Sequence, residues 1–167
     1  LIVVRGVTSP FYLGNAGLMK RVAVAAFALA AYGFVAPSFD AVAAGRTGKL
    51  AIHVNSADKK VMGMALNNAE NVMKYYKDKG DKAIVRVVAY GPGLKMLLKG
   101  MSPVEKRIEK MSLESSDISF AACGNTHRKM TKKTGKKLVI LDEAKMVTAG
   151  VVELMELQMS GYSYLRP

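Results

Sequence analysis

The chain has 167 residues, half of them hydrophobic, one cysteine and a formal net charge of +12. That length suits one domain with a full apolar core, and a single cysteine excludes an internal disulfide framework, so packing must hold the fold. The basic balance fits anionic partners or a solvated surface, and neither a fixed-period repeat nor a low-complexity tract is present.

Met19-Lys20-Arg21 is a charged start, Val22 to Ala36 then runs fifteen residues without a charge, and Ala41-Val42-Ala43-Ala44 offers small residues for cleavage. This order is that of a secretory signal peptide over residues 19–44. The apolar run is shorter than the roughly 20 residues that span a bilayer, so cleavage, with no stable membrane anchor afterwards, is the reading. Export places the product in the periplasm. Residues 1–18 match no targeting pattern and read as an upstream gene-start artefact. Without Arg5, Lys20, Arg21 and Asp40, residues 45–167 keep 22 basic and 12 acidic residues, a net charge of +10. The basicity belongs to the mature domain.

Within that domain Lys49 to Val54 is an apolar, β-branched run and predicts a strand. Asp58 can cap the next helix, in which Val61, Met62, Ala65, Leu66, Ala69, Val72, Met73 and Tyr76 recur at helical spacing until Gly80. Ala83 to Tyr90 predicts a second, buried strand. Gly91-Pro92-Gly93 turns the chain into a short helix, Leu94 to Lys99, and Pro103 starts another that reaches Leu113. Asp117 to Ala122 predicts a third strand, helix or loop follows to Gly135, and Leu138 to Leu141 predicts a fourth strand, with Val147 extending the sheet or leading into it. Gly150 to Ser160 predicts a helix and Tyr162 to Leu165 a closing strand. Alternating strands and helices predict an α/β fold with a largely parallel sheet covered on both faces.

Ligands of such sheets bind beyond the carboxyl ends of the strands. Those ends carry His53, Asn55 and Ser56, then Tyr90, Gly91 and Gly93, then Cys123, Gly124, Asn125 and Thr126. Cys123 is the candidate nucleophile. A helix starting just after it aims amides and the positive end of a dipole at the sulfur, and His127, Arg128 and Lys129 add charge nearby, all favouring thiolate. The plainer reading is a buried, inert cysteine. His53, His127 and Cys123 lack a short ligand spacing, so no metal is expected. Gly91-Pro92-Gly93 is too short for a phosphate loop, no dinucleotide fingerprint follows the first strand, and no cofactor is expected. The basic stretch Arg128, Lys129, Lys132, Lys133, Lys136 and Lys137 has no interleaved aromatics, which argues against nucleic acid. Most of the eleven methionines fall at apolar helix positions and suit core or subunit packing.

The segments ALNNAENV (65–72), VVAYGPGL (87–94), AACGNTHRKM (121–130) and AGVVELMELQMSGYSYLRP (149–167) resemble the DsrE/DsrF-like family of small sulfur-metabolism proteins. The resemblance spans residues 49–167, in order. It implies a three-layer α/β/α fold with a mostly parallel, five-stranded sheet and homo-oligomers, trimers or hexamers. It also implies that the cysteine at Cys123 carries sulfur as a persulfide in members that act as relays, exchanging it with a thiol or persulfide carrier protein. The leading expectation is an exported protein handling sulfur or thiol redox through Cys123, with sulfur-transfer activity. The alternative is a small-molecule or anion-binding, or oligomeric interaction, module in which Cys123 is structural.

Overall fold

The structure, a computed structural model, describes residues 45–167. The segment 1–18, expected to be an upstream artefact, and the segment 19–44, expected to be a signal peptide, lie outside the described residues. The elements run β1 (Thr47–Val54), α1 (Lys59–Asp78), β2 (Lys82–Ala89), a 3-10 helix (Gly91–Leu97), α2 (Glu105–Glu114), β3 (Ile118–Cys123), α3 (Gly124–Thr134), β4 (Ala144–Val147), α4 (Gly150–Met159) and β5 (Ser163–Leu165). All the strands pair in parallel, in the order β4-β3-β2-β1-β5.

Alternation along each strand separates two unequal layers. On one face Leu50, Ile52, Val54, Val85, Val87, Ala89, Ile118, Phe120 and Ala122 join Met62, Ala65, Leu66 and Ala69 of α1 with Ile108 and Met111 of α2 in the main core. The first turn of α1 is closed by Asp58, whose carboxylate accepts from the Lys60 amide at 2.7 Å. Met130 of α3 packs against the same core. The opposite face carries Ala51, Val88 and Ala121, small enough for α4 to settle close through Leu154. Helices thus cover both faces of a five-stranded parallel sheet, a three-layer α/β/α fold. The second layer is thin. In α4, Val151, Val152, Met155 and Met159 are exposed, and Glu153 ties the helix to Arg86 of β2 at 2.9 Å.

One strand lies elsewhere than its sequence suggests. Leu138 to Leu141 stays out of the parallel sheet. Ile140 makes an isolated antiparallel bridge with Leu98, and the Leu141 amide donates to the Leu97 carbonyl. Its apolar side chains are used on the main core instead, with Leu141 buried and Leu138 and Ile140 packed beside it. The chain then turns and lays Ala144–Val147 along β3. The helix expected at Leu94–Lys99 is the 3-10 helix, which begins earlier, at Gly91, and α2 starts after Pro103, at Glu105.

Candidate functional site

At the carboxyl edge of the sheet, two helices begin around one sulfur atom. Cys123 ends β3 and is the N-cap of α3, its Sγ accepting from the Thr126 amide at 3.4 Å. Next to β3, β4 ends at Val147, and Thr148-Ala149 leads into α4 from the other side. Asn125 stitches these together, its amide donating to the Thr148 carbonyl at 3.1 Å. Gly124, the first residue of α3, is buried against the Val147 carbonyl.

Burial pushes the Cys123 thiol pKa up. The nearby Thr126 hydroxyl first, then the amides of Gly150, Thr126 and Asn125, oppose this, and the balance falls below the ordinary thiol value. Two helix N-termini therefore favour thiolate at one atom. Cys123 is only 5% exposed, so the sulfur is reached at the edge of the fold rather than displayed. Thr126 is held in turn: its Oγ1 accepts from the Gly91 amide at 3.0 Å, which fixes the turn after β2 against the start of α3.

Two close approaches account for glycines here. A methyl group at Gly93 would overlap the Val54 carbonyl, so only glycine lets the 3-10 helix pass over the end of β1. At Gly150 a Cβ would stand 2.8 Å from Cδ1 of Tyr90, so the bare backbone lets α4 bring its first amide past the ring to the sulfur.

A row of rings continues from the cysteine. Tyr90 follows Ala89, which pairs with Ala122, so Tyr90 and Cys123 end adjacent strands side by side. The imidazole of His53 stacks on Tyr90 with centroids 4.4 Å apart and an 18° interplanar angle. Burial first, then Tyr164, and least Cys123 raise the Tyr90 pKa, against an opposing effect of Arg166 that ranks between those of Tyr164 and Cys123. His53 is 4% exposed, its Nδ1 lies 2.7 Å from the Tyr164 hydroxyl, and its buried Nε2 has no partner. Burial first, and Arg166 second, lower the His53 pKa, so the ring is held neutral.

The sequence-predicted residues divide accordingly. Cys123, Gly124, Asn125, Thr126, Tyr90, Gly91 and His53 gather at this edge. Gly93 packs against the backbone at Val54 and Asn55, where Asn55 is half-buried just beyond β1. His127 turns away, its Nε2–H donating to the Leu138 carbonyl at 3.0 Å, and so anchors α3 to the following loop. Arg128 is exposed and donates to the Asn125 side chain. Backbone amides and the Thr126 hydroxyl, rather than basic side chains, lower the thiol pKa.

Gly150 and Tyr164 are the site residues the sequence reading missed. Placing the fourth strand at Leu138–Leu141 hid the end of β4, and with it the approach of Gly150. A helix starting at Gly150 directly after a strand was the available signal. Among the described residues no cluster of three or more His, Cys, Asp or Glu side chains is placed to hold a metal ion. No described helix is long and apolar enough to cross a membrane. A groove of about 400 Å³ between α1 and α2, lined by Glu70, Met73, Lys77, Met111 and Asp117 among others, lies at the amino end of the sheet, away from Cys123.

No protein-family model matches the chain, and no curated protein matches it. Among solved structures the chain is similar to a protein of unknown function from Methanobacterium thermoautotrophicum, at 22% identity and a TM-score of 0.60. The match covers 72% of this chain and 99% of that one. Likeness at that identity speaks for the fold.

Proposed function

We propose that the domain is a DsrE/DsrF-like sulfur carrier working through Cys123. The observation that carries this reading is the convergence of donors from Thr126, Asn125 and Gly150 on a sulfur whose pKa is lowered despite burial. In the step this geometry supports, the Cys123 thiolate attacks the outer sulfur of a carrier persulfide. A new S–S bond forms to Sγ, the carrier's S–S bond breaks, and the carrier leaves as a thiolate. The reverse step, with a second thiolate attacking the outer sulfur, passes the atom on. The donors that stabilise the thiolate suit the anionic persulfide equally, and no cofactor takes part.

The same reading includes export to the periplasm through the segment 19–44 and assembly into a homo-oligomer. Exposed Val151, Val152, Met155 and Met159 on the thin α4 layer support assembly, because a small domain gains by covering such a stripe. The test is the intact mass of protein purified from its native compartment, before and after reduction. One extra sulfur on Cys123, removed by reductant and absent from Cys123→Ala, is the expected result. Protein that never gains sulfur when incubated with a persulfide donor would sink the carrier reading.

One observation favours a second reading, a small-molecule or anion-binding module in which Cys123 is structural. The buried, unpartnered Nε2 of His53 is a polar atom that a ligand would satisfy. Ligand-dependent melting shifts that persist in Cys123→Ala would select it.

A further inference from the structure

Helix α3 is the only described α-helix whose charges are all basic. In α1 and α2 acids and bases are mixed, and the ion pairs Lys74–Asp78, Arg107–Glu70 and Lys110–Glu114 form there. From residue 118 to residue 141 the chain has no acid at all, while Arg128, Lys129, Lys132, Lys133, Lys136 and Lys137 are all exposed. Among the described residues none of the six forms an ion pair. Arg128 with Lys132, and Lys129 with Lys133, stand four residues apart on the helix surface, where like charges repel. The nearest acid along the chain, Asp142, is already paired with Lys99 at 3.3 Å. A helix that keeps this repulsion without internal compensation is built for charge supplied from outside.

The position of the stripe says what that charge belongs to. It starts five residues after Cys123, the N-cap of the same helix, so a body lying along it is set beside the sulfur. A lipid surface would bring no sulfur there and would engage the far end of the stripe, where exposed Val139 and Met101 flank Lys136 and Lys137. Sulfur exchange by a protein with a single cysteine needs a second thiol from outside the chain, and a stripe of charge this long suits a protein that carries one better than a small thiol. We propose that the exposed face of α3 is the docking surface for an acidic protein partner that presents its thiol or persulfide to Cys123. This rests on the carrier reading and adds to it the partner's chemistry and its line of approach.

Two arms separate this inference from the reading beneath it. The first is equilibrium binding, by fluorescence anisotropy, of two cysteine-free synthetic peptides, one rich in Glu and Asp and one in which these are Lys. At low ionic strength the acidic peptide should bind at least about tenfold tighter, and the difference should shrink at high salt. The variant Lys129→Glu/Lys133→Glu/Lys136→Glu should abolish or invert the preference. Lys74→Glu/Lys77→Glu/Lys110→Glu, with the same net charge change around the groove at the amino end of the sheet, should leave it in place. Equal loss in both variants, or in neither, overturns the docking surface. So does binding to phosphatidylglycerol vesicles that the first variant abolishes while the acidic peptide shows no preference, an outcome that assigns the stripe to lipid.

The second arm follows chromophore release when the same peptides carry one cysteine as a thionitrobenzoate mixed disulfide, against dithiodipyridine as a small uncharged disulfide. The first variant should slow the acidic peptide about tenfold and leave dithiodipyridine unchanged, which also shows that the site is folded. A folded wild-type protein inert toward dithiodipyridine counts against the carrier reading alone, because the binding arm still decides the surface.

Discussion

The hydroxyl of Tyr164 lies 2.7 Å from Nδ1 of His53, tying the last strand to the first beside the stacked ring of Tyr90. This bond sets the imidazole in its slot, and with Nε2 unpartnered it is the ring's one hydrogen bond. Tyr164→Phe keeps the ring and removes the oxygen, leaving a buried imidazole with neither nitrogen satisfied. The expected cost is about 1–2 kcal/mol, read by chemical denaturation. An unchanged midpoint would mean that the bond contributes nothing to stability.

The same histidine gives the fold a pH dependence of known sign. Its pKa is lowered in the fold, by burial first and by Arg166 second. The unfolded chain therefore binds a proton near pH 6.5 that the native state refuses. The stability this group contributes is complete above that pH and is lost as the pH falls toward the native value. Denaturation midpoints at pH 7.5, 6.5 and 5.5 should fall more steeply for the wild type than for His53→Asn. A steeper fall in the variant would mean that the native state takes up the proton first.

Cys123 should alkylate with a pH midpoint below that of free cysteine, because the donors on its sulfur outweigh burial. Thr126→Val removes the hydroxyl, the strongest of those donors, and should move the midpoint up while keeping the amides. Iodoacetamide rates across the pH range read both. A wild-type midpoint at or above that of free cysteine would remove the activated thiolate.

Gly150→Ala should act on stability and chemistry together. The added methyl meets the Tyr90 ring at 2.8 Å and is expected to cost about 1–3 kcal/mol. As α4 yields, its first amide leaves the sulfur, so the alkylation midpoint should rise alongside. A variant that loses stability with no shift in midpoint would separate Gly150 from the thiol.

For assembly, Met155→Glu with Met159→Glu places charge on the exposed stripe of α4. Light scattering should give a multimer for the wild-type domain and a monomer for this variant. A wild-type monomer at high micromolar concentration would refute the oligomer. On the exported protein, N-terminal sequencing should find Ala44 or Gly45 as the first residue, and a soluble product retaining Met19 would contradict processing.

The strands β1, β2 and β3 were readable because each is a compact apolar run bounded by polar or glycine residues, and α1 because its apolar positions keep helical spacing over five turns. Strand β4 was not. Ala144-Lys145-Met146-Val147 is short, sits at the sheet edge and has two exposed residues, so its composition is weaker than that of the nearby Leu138–Leu141 run. That run is apolar for a different reason, since it plugs the main core from outside the sheet. The position of Cys123 followed from strand order along the chain. What holds its sulfur did not, because amides have no signature in side-chain chemistry and Gly150 is distant in sequence. His127 misled through proximity: four residues after its helix cap it points to the loop, as its bond to Leu138 records.

Because the amide of Gly150 belongs to the thinly anchored α4, access to the sulfur and acidity of the sulfur oppose each other. Fraying of the first turn of α4 uncovers Cys123 and withdraws a donor in the same motion. The thiol is then at its most reachable when it is least ionised. A reagent small enough to enter the closed site meets the better nucleophile, and a bulky one must wait for an opening that weakens what it finds. Exchange with a large partner should therefore track hydrogen–deuterium exchange at the start of α4, whereas alkylation by small reagents should be independent of it.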